Sequence, residues 1–200
     1  MRIKDQLKQR FATVKSLTQL APWTAVAYAG GVDGLLRARA LKNGDAPCLI
    51  TIDRRLSYGQ TDREANRHAR FWQERGVGPG DTVAVLMGNC LPAILHPLGL
   101  SRLGARSAMI NPQLRGRALQ HVLEACGARW IITDDLHAGQ LGDQLPIDSD
   151  KMWVDGLVDV GPYCAARPFL DATSDQRMPL VFKGADAVYT CLFTSGTTGL

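Results

Sequence analysis

The run TVAVLMGNCLPAILHPLGLSRLGARSAMI, residues 82–110, decides the fold class of this chain. Its first part, Thr82–Met87, is continuously apolar and short, which predicts a fully buried strand. Pro92 to Leu103 reads as a helix, with proline in its first turn and Gly104 placed to end it. A second short strand is predicted at Ser107–Ile110. A strand, a helix and a strand in this order predict a parallel pair joined by a right-handed crossover.

The same alternation continues on both sides of this run. Ser57 and Gln60 form an S-x-x-Q capping box, which predicts a helix that starts at about Tyr58. We therefore predict an α/β fold, a layered and mainly parallel sheet with flanking helices. The remaining predicted strands are Cys48–Ile52, Arg129–Thr133 and Lys151–Val154, and a further helix is predicted at Leu114–Cys126.

Two carboxylates follow the predicted strand at Arg129–Thr133. Asp134 and Asp135 would lie at the carboxyl edge of the sheet, where open α/β sheets bind ligands. The alternative is an ordinary solvated turn, and we favour it.

The net charge of +4 comes from one short segment. Residues 1–20 contain five lysines and arginines against Asp5 alone, so the other residues sum to about zero. A body without net charge argues against nucleic-acid binding, which depends on many phosphate contacts.

The same segment has an apolar repeat at intervals of three and four, typical of one face of a helix. A basic amphipathic helix can dock on the protein body or lie in a membrane interface, and both readings stay open. The apolar run 21–31 is too short to span a bilayer and unlike a secretory signal, so we expect neither a transmembrane helix nor a cleaved leader. The repeat consists of Ile3, Leu7, Phe11, Val14, Leu17 and Leu20.

Cysteines and histidines are scattered without ligand spacing. Five cysteines at irregular intervals argue for a reducing compartment and against a disulfide framework. With neither an HExxH motif nor a Cys/His cluster, we predict no protein-bound metal.

The last residues of the chain carry the chemistry. Val188–Phe193 is predicted to be a buried strand, and it runs directly into a loop of two glycines and four hydroxyl side chains. Glycines let backbone N–H groups turn toward an anion, and hydroxyls can bond phosphate oxygens or a metal ion. The loop is not a Walker A motif, and the alternative is an ordinary polar turn. Its residues are Thr194, Ser195, Gly196, Thr197, Thr198 and Gly199.

An apolar strand followed by TSGTTG resembles the phosphate-binding signature of the adenylate-forming superfamily. Other blocks agree in order, so that the resemblance covers residues 47–200. Within the superfamily, Ile110–Gly116 with Leu119 and His121 is most similar to long- and very-long-chain acyl-CoA synthetases of the fatty-acid-transport-protein type. The other matching blocks are Leu56–Tyr58 with Ala65-Asn66, Arg75–Ala84, Leu103–Ala105 and Ile110-Asn111.

The resemblance implies a two-step reaction. A fatty acid carboxylate attacks the α-phosphate of Mg²⁺-bound ATP, and the acyl group of the adenylate then passes to the thiol of CoA. Residues 194–199 would hold the β- and γ-phosphates, and no residue is assigned as a catalytic acid, base or nucleophile. The resemblance implies ATP, Mg²⁺ and CoA as cofactors and a fatty acid as substrate. It implies a cytoplasmic location, with peripheral attachment to the inner face of the membrane as the alternative.

The family signature continues past Gly199 with a proline and a lysine, whereas this sequence stops at Leu200. We expect residues 1–40 to be a basic amphipathic segment and 41–200 an incomplete N-terminal part of the AMP-binding domain, inactive by itself. Two other interpretations stay open: part of another adenylate-forming enzyme, such as a peptide-synthetase adenylation domain, or a non-catalytic, membrane-associated module.

Overall fold

The computed structural model describes residues 31–52, 54–179, 181 and 188–193, and these contain two sheets, five α-helices and two short 3₁₀ helices, Ala138–Gln140 and Ser149–Lys151. The helices are α1 (31–43), α2 (Tyr58–Gln73), α3 (Pro92–Leu103), α4 (Gly116–Cys126) and α5 (Arg167–Ala172). The strands are β1 (Pro47–Ile50), β2 (Arg55–Ser57), β3 (Thr82–Leu86), β4 (Arg106–Met109), β5 (Trp130–Thr133), β6 (Met152–Val154), β7 (Cys164–Ala165) and β8 (Thr190–Leu192).

The larger sheet has six strands in the order β7-β6-β5-β3-β4-β8. Every neighbouring pair in it is parallel. β1 and β2 form a separate antiparallel hairpin. The predicted α/β class, with a mainly parallel sheet and flanking helices, is therefore confirmed.

The helix boundaries follow the local signals. The Ser57 hydroxyl accepts a hydrogen bond from the backbone N–H of Gln60, and the Gln60 side chain accepts one from the backbone N–H of Ser57 at 2.8 Å. The predicted capping box therefore starts α2. Pro92 occupies the first turn of α3, and Gly104 ends that helix with a φ of 76°, which glycine adopts without strain.

The sheet is buried on both faces, and strand β3 shows how. All five of its residues are buried. Val83 and Val85 pack in a cluster with residues of α2, α3 and α5, whereas Ala84 and Leu86 pack in a second cluster with residues of α4. Successive side chains of a strand point to opposite faces, so an uninterrupted apolar run fits a sheet covered by helices on both sides.

A buried ionic network joins the first three helices. The guanidinium of Arg102 in α3 is fully buried and bonds a carboxylate oxygen of Asp33 in α1 and one of Asp62 in α2, at 2.7 and 2.8 Å. It also donates to the Asp62 carbonyl at 2.9 Å. Removing one partner of such a network leaves a buried charge uncompensated, which typically costs ~3–5 kcal/mol.

Strand β8 differs from the prediction of a buried strand at Val188–Phe193. The strand covers only Thr190–Leu192, Leu192 is 71% exposed, and Val188 is 53% exposed. Among the described residues β8 pairs with β4 alone, because it lies at one end of the sheet. An end strand lacks a neighbour on its outer side, and this explains the exposure.

The amphipathic helix predicted in residues 1–20 lies outside the described residues. Within the described residues, no helix combines the length and the apolar character that crossing a bilayer requires.

Candidate functional site

The carboxyl edge of the six-stranded sheet is the candidate functional site. Because the strands are parallel, they all end at this edge. β8 ends there at Leu192, beside Met109 of β4. Residues 194–199, the predicted phosphate-binding residues, follow Phe193 directly in sequence and lie outside the described residues.

The loop after β4 is the next feature along the edge. The backbone N–H of Ile110 donates to the Val85 carbonyl at 3.0 Å, which holds the end of β4 against β3. Asn111 follows, exposed, and its side-chain oxygen accepts from the backbone N–H of Gln113 at 3.0 Å. This turn therefore lies nearest to the end of β8 on the described edge.

Asp134 closes the end of β5. One of its carboxylate oxygens accepts from the backbone N–H of Gly88, at 2.9 Å, and the other accepts from the backbone N–H of His137, at 3.0 Å, and contacts the His137 ring at Nδ1. Asp134 thus joins the loops that follow β3 and β5. The interpretation as a solvated turn is wrong for Asp134, whose side chain is 17% exposed, and fits Asp135, which is exposed.

The sheet order separates Asp134 from the end of β8. Three strand spacings lie between β5 and β8, about 14 Å at the usual spacing. A carboxylate that already accepts backbone hydrogen bonds at that distance has a structural role in the loops rather than a role beside β8.

A buried polar chain lies at the end of β6. Trp72 donates through Nε1 to Nδ1 of His96 at 3.1 Å, so this histidine carries its proton on Nε2. The Nε2–H donates to Asp155 at 2.9 Å, and the other Asp155 oxygen pairs with the Arg167 guanidinium at 2.5 Å. Burial raises the pKa of Asp155, but the hydrogen bond from His96 and the charge of Arg167 outweigh it and bring that pKa to about 2.

His68 packs edge-on against His96, with ring centroids 4.7 Å apart. Its Nδ1 donates to the Glu64 carbonyl at 2.8 Å, and its Nε2 is buried without a hydrogen-bond partner. Burial, with His96 alongside, lowers the pKa of His68 to about 3. This imidazole is therefore neutral at physiological pH.

Ligand atoms of His68, His96 and Asp155 lie within 4.8 Å of one another, a spacing that could hold a metal ion. The hydrogen bonds oppose that role. A metal at Nε2 of His96 would displace its proton, and Nδ1 cannot take the proton up while Trp72 donates to it. The sequence did not reveal this cluster, because His68 and His96 lie on different helices and Asp155 follows a strand.

The sequence comparisons cover most of the chain. The family model of the AMP-binding enzyme matches residues 36–200. Long-chain fatty acid transport protein 2 of Rattus norvegicus is 30% identical over 98% of this chain. The medium/long-chain-fatty-acid–CoA ligase FadD6 of Mycobacterium tuberculosis is 31% identical over 80% of this chain, and surfactin synthase subunit 1 of Bacillus subtilis is 30% identical over 82%. The chain spans 32%, 26% and 4% of the lengths of these three relatives.

Solved structures have the same fold. The anthranilate CoA ligase AuaEII in complex with anthranoyl-AMP matches with a TM-score of 0.76 at 22% identity, over 86% of this chain and 33% of that one. A Mycobacterium tuberculosis fatty acyl CoA synthetase matches with a TM-score of 0.69 at 21% identity, over 82% of this chain and 32% of that one.

Proposed function

This chain belongs to the AMP-binding enzyme family, and we propose that it supplies the phosphate-binding strand and loop of an ATP-dependent fatty acyl-CoA synthetase. Residues 41–200 are, in this proposal, the N-terminal part of the AMP-binding domain. The observation that carries the proposal is the position of β8, which ends at the carboxyl edge of a parallel sheet directly before the TSGTTG sequence. Open α/β sheets bind their ligands outside this edge.

The reaction we propose has two balanced steps. A fatty acid carboxylate oxygen forms a bond to the α-phosphorus of ATP, and pyrophosphate leaves. The thiolate of CoA then forms a bond to the acyl carbon, and AMP leaves. The two relatives named for long-chain fatty acids support this substrate class over the amino acid of a peptide synthetase.

The composition of residues 194–199 fits the β- and γ-phosphates of ATP. Gly196 and Gly199 leave the backbone N–H groups open to an anion, and the four hydroxyls add further donors. In this proposal the loop binds and orients the triphosphate, so that pyrophosphate is held while the α-phosphorus is attacked. Mg²⁺ arrives with ATP, and no described residue is assigned an acid, base or nucleophile role.

The test is fatty-acid-dependent exchange of pyrophosphate into ATP by the protein expressed from its whole reading frame. We expect exchange that requires a long-chain fatty acid, and a loss of about a hundredfold in Thr197→Val, as for removal of one aligned donor. Ser149→Ala is the control, because Ser149 is exposed in a short 3₁₀ helix remote in sequence from the loop. Exchange driven by an amino acid instead of a fatty acid would contradict the substrate, and equal activity of Thr197→Val and wild type would contradict the role of the loop.

A further inference from the structure

A cleft of about 540 Å³ lies at the carboxyl edge of the six-stranded sheet, where the β1–β2 hairpin meets the starts of α3 and α5. Two guanidinium groups line it, those of Arg54 and Arg167, together with the side-chain amide of Asn89. No aspartate or glutamate is among the described residues of its wall. The rest of the wall is mainly apolar and includes Ile50, Ile52, Leu91, Pro92 and Ile94.

Arg167 is held in place by buried groups. Its Nε lies 2.5 Å from a carboxylate oxygen of Asp155, and its backbone N–H donates to the Gly156 carbonyl at 3.2 Å. Asp155 is bonded by His96, and His96 by Trp72, and all three side chains are buried. The Arg167 side chain itself is 26% exposed, and no described residue accepts a hydrogen bond from its Nη groups. One nitrogen of this guanidinium is therefore fixed, and the other two are available to a ligand.

This buried chain fixes the direction of Arg167 more than it stabilises the fold. A buried ion pair contributes little net stability, because the cost of removing its charges from water is similar to the attraction between them. A residue that binds a ligand needs such support, since its side chain has to be held in the productive geometry by the contacts behind it. The Trp72, His96 and Asp155 chain gives Arg167 this support.

Arg54 supplies the net charge of the cleft. Asp155 offsets the charge of Arg167, whereas the described wall of the cleft contains no carboxylate beside Arg54. A turn closed by Thr51, whose backbone N–H donates to the Arg54 carbonyl at 2.8 Å, places this arginine on the hairpin beside the cleft. The described cleft thus combines a positive charge with apolar walls, and a matching ligand has an anionic group on an apolar body.

We propose that this cleft binds an anionic amphiphile, a carboxylate or a phosphate carried on an alkyl chain. The anionic group bonds Arg167 and Arg54, because guanidinium groups present paired N–H donors that match both head groups. The alkyl chain lies against Ile50, Leu91 and Ile94. The cleft is separate from the predicted phosphate loop, since four strand spacings, about 19 Å, lie between the ends of β6 and β8. The inference does not depend on the proposed acyl-CoA synthetase activity.

Isothermal titration of the 200-residue chain with sodium decanoate, without ATP or CoA, tests the site. We expect a dissociation constant of about a millimolar or lower for wild type. In Arg167→Gln it should be about tenfold higher, because hydrogen bonds to the charged head group are lost. Ile94→Ser should raise it about threefold, because the alkyl chain loses part of its apolar wall.

Arg129→Gln is the matched control and should bind decanoate like wild type. Arg129 also pairs with a carboxylate, that of Asp81 at 3.3 Å, but it precedes β5 and so lies at the opposite edge of the sheet. A second variant, Arg54→Gln, keeps the buried chain intact and should also weaken binding. It decides the test if Arg167→Gln, which leaves Asp155 unpaired, does not fold.

Equal decanoate affinity in wild type and in the arginine variants of the cleft that fold overturns the proposal, and so does the absence of binding by both decanoate and decyl phosphate. Decyltrimethylammonium that binds as tightly as decanoate also overturns it, because the apolar walls alone would then hold the chain. If decanoate and decyl phosphate both bind, the tighter one identifies the head group, a fatty acid carboxylate or a lipid phosphate.

Discussion

At the scale of the residue, folding makes His68 harder to protonate. Its imidazole is fully buried, one nitrogen donates to the Glu64 carbonyl, and the other has no hydrogen-bond partner. Protonating it would place a charge beside His96 in the core, which is why its pKa falls to about 3. Since the unfolded chain binds this proton at a pKa of about 6.5, the folded state binds fewer protons between these two values.

The consequence is a loss of stability in mild acid. The stabilisation that His68 contributes as a neutral group is present above pH 6.5 and is lost progressively as the pH falls toward 3. From pH 7 to pH 5 we expect the free energy of unfolding to fall by about 2 kcal/mol from this residue alone, measured by urea denaturation at each pH. In His68→Gln this part of the pH dependence should disappear, whatever the absolute stability of the variant.

His121→Gln is the control, because His121 is exposed on α4. It should keep the wild-type dependence on pH. If His68→Gln lost as much stability between pH 7 and pH 5 as wild type, the buried neutral state of His68 would be the wrong explanation.

At the scale of the element, the contact between α2 and α3 depends on the smallest side chain. A Cβ atom built on Gly99 of α3 would lie 2.6 Å from the Cβ of His68 and 2.8 Å from the backbone nitrogen of Ala69, both in α2. These atoms belong to or adjoin the helix backbone and cannot rotate away. The two helices therefore approach closely only because position 99 is glycine.

Gly99→Ala should separate α2 from α3. We expect a loss of about 1–3 kcal/mol in the free energy of unfolding, the range found when a core is overpacked, measured by urea denaturation at pH 7. Gly78→Ala is matched to it, since nothing lies within 4 Å of the Cβ it would add, and it should change stability by less than about 0.5 kcal/mol. Equal stability of the two variants would mean that the helices can move apart freely.

Local signals in the sequence were sufficient for the elements and insufficient for the contacts between them. The capping box at Ser57 and the glycine after α3 act within a few residues, so the sequence alone located those helix ends. The burial of β8 depends on how many strands flank it, and periodicity carries no such information. The same holds for Asp134, whose bond to Gly88 joins residues 46 apart in sequence. The phosphate-binding role of residues 194–199 remains a prediction that rests on their sequence.

At the scale of the whole molecule, the predicted phosphate loop follows in sequence from β8, the end strand of the described sheet. β8 pairs with β4, and the side chains of Leu192 in this strand and of Val188 just before it are largely exposed. Even millimolar binding of ATP requires about 4 kcal/mol of net free energy. Any residues that become ordered only when ATP binds subtract the cost of that ordering from the affinity.

The 200-residue chain by itself should therefore bind ATP weakly. In isothermal titration with Mg²⁺ and ATP we expect a dissociation constant of about a millimolar or weaker, and no fatty-acid-dependent release of pyrophosphate. Micromolar binding by the 200-residue chain would show that β8 and its loop are sufficient without further support.

The pairing of β8 with β4 can form only late in synthesis. Thr190 bonds back to Ser107 across 83 residues, whereas the other five strands of the sheet all lie between residues 82 and 165. A ribosome makes the chain from its N-terminus, so those five strands and their helices emerge before β8 exists. Until then the outer edge of β4 has no hydrogen-bonding partner, because β8 has not yet been made. An unpaired strand edge can pair with another chain. The nascent protein thus passes through a stage in which the edge of β4 is unpaired, and that stage ends when β8 pairs with β4 and becomes the end strand of the described sheet.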